Sequence, residues 1–113
     1  MTNAPRLDAE KIAHEMERRG LAWADANAAA EALEETAKSV LAEVALSYKP
    51  DAKSMTEAET MARADQRYIA HIKAAVSARK TSNRARVAYD TYKVYAEMLR
   101  SNASTDRALA TMR

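Results

Sequence analysis

The densest chemistry in this chain is cationic. The stretch Arg79-Lys80-Thr81-Ser82-Asn83-Arg84-Ala85-Arg86 holds four cations, and no acidic residue occurs between Asp65 and Asp90. Arg79, Arg86, Lys93, Arg100 and Arg107 recur seven residues apart. A helix drifts by only about 20° per seven residues, so these side chains form one slowly winding row. Lys73, Lys80 and Arg84 widen the row into a belt. Such a belt can follow a phosphate backbone, each contact releasing condensed counterions. Arginine suits the task because its planar fork binds phosphate through two hydrogen bonds at once. Tyr89, Tyr92 and Tyr95 follow three apart, with Tyr68 upstream. Tyr89 falls close in angle to Arg86 and Lys93, and an exposed tyrosine beside arginine can stack on an unpaired base. The alternative is that Tyr89, Tyr92, Ala96 and Leu99 form a second packing face. The candidate nucleic-acid set is therefore Lys73, Arg79, Lys80, Arg84, Arg86, Tyr89, Lys93 and Arg100. Nothing suggests reading of duplex sequence, because the glycine-containing turn of a helix-turn-helix is missing.

Other chemistry finds little support. One glycine, Gly20, cannot build a phosphate-cradling loop, and there is no cysteine to serve as nucleophile, disulfide partner or zinc ligand. His14 and His71 lie far apart, and neither has a second ligand at metal-binding spacing. Carboxylate pairs such as Glu34-Glu35 and Glu57/Glu59 read as solvated helix faces. The expectation is a protein without catalytic residues, metal or cofactor.

The elements that must position the belt are helical. The 113 residues are one domain's worth, rich in Ala, Glu, Lys, Arg, Met and Leu, with one Gly and two Pro. Strands need turn residues, which are too few here, and the common residues are strong helix formers. The fold class is all-α: a long antiparallel helical hairpin or small bundle, coiled-coil-like and oligomeric. Aromatics make up 5% and much of the hydrophobic 48% is alanine. A monomeric core would thus be thin, and self-association is a common remedy.

An acidic helical arm spans about 8–48, capped by Asp8. Its seam is Ile12, Met16, Arg19, Trp23, Ala26, Ala30, Leu33, Ala37, Val40 and Val44, at spacings of three and four. Arg19-Gly20 interrupts the pattern, and a kink or break is expected there. Pro50 ends the arm and opens a loop, 49–53. Ser54-Met55-Thr56-Glu57 is a capping box starting a basic helical region, 54–101. Asp65 either caps a further helix or lies inside a continuous one. The stripe beyond it is Ile69, Ile72, Val76, Val87, Val94 and Met98, with Asn83 on it as a candidate register-setter. Ser101-Asn102-Ala103-Ser104 signals a stop, with a short helix or tail over 102–113. The expected oligomer interface is Ile12, Met16, Trp23, Leu33, Val40, Val44, Ile72, Val76, Asn83 and Val87.

Charge divides the chain. Residues 1–62 hold 7 Lys+Arg against 12 Asp+Glu, and residues 63–113 hold 11 against 4. Either the basic half meets a polyanion, or the two halves pair with each other. No apolar run is long enough to span a membrane, and the first residues carry no signal core, so the expected location is the cytoplasm, that of the host if the protein is phage-encoded.

The order of features resembles the phage UvsY family of recombination mediators over roughly residues 30–113. The resemblance rests on a long helix ending near Val44-Ala45-Leu46-Ser47-Tyr48, a polar loop, and Ser54-Met55 opening the next helix. It continues through Ala64-Asp65 and a long region from Tyr89-Asp90 to Leu99-Arg100-Ser101. It implies a homo-oligomeric helical protein that binds single-stranded DNA, helps load a recombinase and contacts a single-strand-binding protein. That family carries a Lys and an Arg just before the tyrosine, where this chain has Glu43 and Ala45. Any binding here would fall to the C-terminal belt. The competing expectations are an adaptor or assembly factor acting only through helix packing, and a membrane-surface helix, which the alanine-rich faces disfavour.

Overall fold

Helix-forming residues without an internal proline give two long helices in the computed structural model, which describes residues 4–112, with side chains from residue 9 onward. Helix α1 spans Ala4–Tyr48, a 3-10 turn covers Lys49–Asp51, α2 spans Met55–Arg63 and α3 spans Gln66–Thr111. The fold is all-α, and the described residues contain no strand. Two compact units form: a loop unit, Ala24–Asn83, and a terminal unit combining Met1–Trp23 with Arg84–Arg113. Both long helices contribute to both units.

Three expectations are corrected. The arm begins by Ala4, with Pro5 in the first turn where its missing N–H costs nothing, so Asp8 lies inside the helix and does not cap it. No break occurs at Gly20. Helix α3 also runs straight through Ser101–Ser104, since none of those residues is the Gly or Pro that would stop it.

In the loop unit α1 and α3 are antiparallel, with Asn27 and Glu34 meeting Arg79, and Ser47 meeting Arg67. Ser54 caps α2, its hydroxyl accepting from the Glu57 N–H at 3.2 Å, as the capping box predicts. Asp65 caps α3, settling the open choice: its carboxylate accepts from the Arg67 N–H at 2.8 Å, and its carbonyl from Ile69 at 3.0 Å. The core joins Val44 and Ala45 to Ala58 and Ala62, with Val40, Leu41, Tyr48 and Ala52 packed around it. Ala30, Ala75 and Ser82 are buried further along. Alanine and serine bury little area but let helix backbones approach closely.

In the terminal unit the helices are again antiparallel, and contact is made largely by aromatic rings. Trp23 and Tyr89 lie with ring centroids 5.8 Å apart. A Cβ on Gly20 would sit 3.3 Å from the Tyr89 ring, so the glycine makes room for the tyrosine. Arg19 donates to the Ala88 carbonyl at 3.2 Å and to Glu15 at 2.6 Å, and its guanidinium lies 4.7 Å from the Tyr92 ring centroid. The one polar residue on the α1 seam is therefore matched by an acceptor, a carboxylate and a π-face.

The α1 seam expected from spacing, Ile12 through Val44, is the face that packs. Most of the α3 stripe does not face α1. Ile69 and Ile72 are half-buried, but Val76, Asn83, Val87, Val94 and Met98 are exposed. The inner face of α3 uses Ala75, Ser82, Tyr89, Tyr92, Ala96 and Leu99 instead. Asn83 therefore sets no register between α1 and α3.

Candidate functional site

The belt read from the sequence separates into cations that build the fold and cations that do not. Arg79 belongs to the first group. Its guanidinium donates to both Glu34 oxygens, at 2.7 and 2.9 Å, and to the Asn27 side-chain oxygen at 2.8 Å. The Glu34 carboxyl is held below its ordinary range by that hydrogen bonding from Arg79. Arg79 is half-buried and neutralised, so it is no free phosphate contact. Arg67 is likewise used locally: it binds Asp65 and donates to the Ser47 hydroxyl at 2.9 Å. Asp65 also accepts from the Tyr48 hydroxyl at 2.6 Å, and together these donors, Arg67 first, push its carboxyl far below the usual carboxylate range.

Lys73, Lys80, Arg84, Arg86, Lys93 and Arg100 form the second group. All six are exposed and form no ion pair among the described residues. Asp90 and Glu97 stand four residues after Arg86 and Lys93, a spacing that permits pairing, yet neither pair closes. Arg107 extends the seven-residue row, donating only to the Ser104 hydroxyl at 3.3 Å. From Arg86 to Arg107 this row rises about 32 Å along the helix. Lys73 and Lys80 lie in the loop unit; Arg84, Arg86, Lys93 and Arg100 lie in the terminal unit.

Tyr89 is the second correction. It is packed against Gly20 and Trp23, so its ring is not offered to a base. Tyr92 is covered by Arg19. The packing alternative therefore applies to both. Tyr95 is 51% exposed, its ring centroid 5.8 Å from that of Tyr92, and it is the aromatic of the three that presents a face to solvent. It continues the spacing of three, but by helical angle Tyr89, and not Tyr95, lies near the row of Arg86 and Lys93.

Charge partition also changes on folding. The loop unit holds 8 Lys+Arg and 9 Asp+Glu, and the terminal unit 10 and 7. Antiparallel pairing lays acidic α1 beside basic α3, so the imbalance between halves of the chain largely cancels within each unit.

The terminal unit also carries an open groove of about 590 Å³ between α1 and α3, floored by Ile12, Met16, Ala96 and Leu99 and edged by Arg100 and Asp106. Among the described residues no cluster of three His, Cys, Asp or Glu side chains forms, and no helix is long and apolar enough to cross a membrane. His71 is engaged at 2.7 Å with the Leu33 carbonyl and at 3.2 Å with the Thr36 hydroxyl, a contact tying α3 to α1.

No family model, no curated protein and no solved structure matches this chain.

Proposed function

We propose that this chain is a non-enzymatic accessory protein that binds single-stranded nucleic acid through the outward cations of α3. The observation that carries the reading is the set of unpaired, exposed cations at Arg84, Arg86, Lys93 and Arg100, left open on a protein whose acidic residues are nearly as numerous. Unpaired cations along a helix suit a flexible polyanion that can adjust to their spacing, and such binding tolerates any sequence. Tyr95 supplies a solvent-facing ring in the same unit. The resemblance to the UvsY mediators supports the finer reading: a homo-oligomer in the cytoplasm, that of the host if the protein is phage-encoded, that assists loading of a recombinase in contact with a single-strand-binding protein.

The test is fluorescence anisotropy with a labelled oligo-dT at low and moderate salt. The set Arg84→Ala, Arg86→Ala, Lys93→Ala and Arg100→Ala should weaken binding and flatten the salt slope by about 0.7 for each phosphate contact removed on a single strand. Arg79→Ala serves as the control, lowering thermal stability and leaving the salt slope unchanged. No binding of the unaltered chain at low salt overturns the proposal.

The near balance of charge within each unit, and an exposed uncharged face on α3, favour a second reading, an adaptor that acts through helix packing alone. It predicts no oligonucleotide binding at any salt concentration.

A further inference from the structure

The outer face of α3 in the terminal unit has a pattern of its own. Val87, Thr91, Val94, Met98, Ser101, Thr105, Ala108 and Met112 follow at alternating spacings of four and three. Every one is exposed: Val87 58%, Val94 56%, Met98 59% and Met112 83%. None is charged, although the helix around them carries Arg86, Asp90, Lys93, Glu97, Arg100, Asp106 and Arg107. Alternating four-three spacing keeps a stripe on one side of a helix, here for about 38 Å. The inward residues Tyr89, Tyr92, Ala96 and Leu99 occupy the opposite side. Helix α3 therefore has two seams, one used by α1 and one bare.

We infer that the bare seam from Val87 to Met112 is a two-fold interface with a second copy of this chain, the two α3 helices antiparallel. Three observations single out a second copy as the occupant. First, the chain exposes 8690 Å², whereas a compact monomer of 12.5 kDa exposes about 6200 Å². The excess exceeds the roughly 800 Å² per partner of a standard stable interface. Second, Ala96 is the one buried residue of the terminal unit among those described, so the described part of the unit has little core of its own. Third, the seam is complementary to itself when reversed. A two-fold axis between Leu99 and Arg100 sets Val87 against Met112 of the second copy, Thr91 against Ala108, Val94 against Thr105, and Met98 against Ser101. Two of these layers put a larger side chain against a smaller one, as interdigitation requires, and the same patch serves both subunits. On the flanks Glu97 falls beside Ser104, Asp90 beside Thr111 and Tyr95 beside Asn102, so no like charges meet. Parallel pairing in register would instead set Arg84, the seam position before Val87, against its own copy.

This inference does not depend on nucleic-acid binding, so the two can fail separately. The cysteine-free chain allows a direct test. Sedimentation equilibrium of the full chain should report a dimer at tens of micromolar, and Val94→Asp should raise its dissociation constant by about tenfold or more, a shift of at least about 1.4 kcal/mol. Circular dichroism checks that the variant stays helical. Independently, Val87→Cys and Met112→Cys chains are mixed and mildly oxidised. The mixed disulfide between positions 87 and 112 should dominate over either homodimer. A chain that sediments as a monomer, as it would if this face waited for a different protein, overturns the inference, and so does a dominant disulfide between two copies of position 87.

Discussion

The loop unit and the terminal unit are built from the same two helices and differ in what holds them. In the loop unit, Val44, Ala45, Ala58 and Ala62 close on each other, and both helices that start there are capped by a side chain. Charged and polar groups on the inner surfaces find partners across the helices, as Arg79 does with Glu34 and Tyr48 with Asp65. The terminal unit relies on Trp23, Tyr89, Tyr92 and Arg19, leaves an open groove between its helices, and keeps one side of α3 bare. The difference teaches a division of labour: one unit spends its small residues on packing, the other leaves surface and cations to be met from outside.

The sharpest way to break this contrast is to place a carboxylate in each unit at an alanine. Ala62 is fully buried and Ala22, in the terminal unit and off the bare seam of α3, is exposed. Ala62→Asp forces an unpaired charge into the core and should cost about 4 kcal/mol or more in urea unfolding, whereas Ala22→Asp should stay within about 0.5 kcal/mol. Equal losses would mean that the terminal unit is as tightly packed as the loop unit.

Next in size is Gly20→Leu. The added side chain meets a Tyr89 ring already held against Trp23. Overpacking of this kind costs about 1–3 kcal/mol, which outweighs the helix-propensity gain of leucine over glycine, somewhat under about 1 kcal/mol. Unfolding followed by Trp23 fluorescence reads the change at the site. A more stable variant would show that Tyr89 can swing away freely, and that the aromatic contact holds little.

How much of this was legible in the sequence depends on which helix is considered. The α1 seam was readable because large residues, Ile12, Met16, Trp23, Leu33, Val40 and Val44, mark one face. The α3 faces were not. Its inward side is Ala75, Ser82, Tyr89 and Ala96, residues of low or mixed hydrophobicity, while Val76, Val87, Val94 and Met98 point outward. Hydrophobic spacing therefore marks an outer side of α3 and does not show which side meets α1. The absence of charge from Val87 to Met112 was present in the sequence, but it marks a face without saying what covers it. The same limit applies to the belt: spacing aligned Arg79 with Arg86 and Lys93, but which cation Glu34 would capture depends on how α1 and α3 align. Gly20 is a third case, a residue that suggests a kink by type and accommodates a ring in the fold.

The smallest expected effects are in acid, and they distinguish the units by which carboxylates respond. In the terminal unit, hydrogen bonds from Arg18 and then Arg19 lower the Glu15 carboxyl from its ordinary 4.5 to about 2. In the loop unit, Asp65 and Glu34 are lowered as well, the first chiefly by Arg67 and then Tyr48, the second by Arg79. A carboxyl whose folded value lies below its unfolded one binds fewer protons in the folded state. Its stabilising contribution is whole above the ordinary value and disappears as pH falls through the folded value. For Glu15 that window runs from 4.5 down to about 2. Exposed pairs of this kind hold little each, so the signal should be a modest slope and not an abrupt transition. Tyr48→Phe removes one of the donors to Asp65, so its carboxyl should move back toward 3.8 and the loop unit should lose stability at a higher pH. Carboxyl-detected NMR titration of the unaltered chain and of this variant follows each residue separately. If Asp65 titrates at the same pH in both, the Tyr48 hydrogen bond does not act on it.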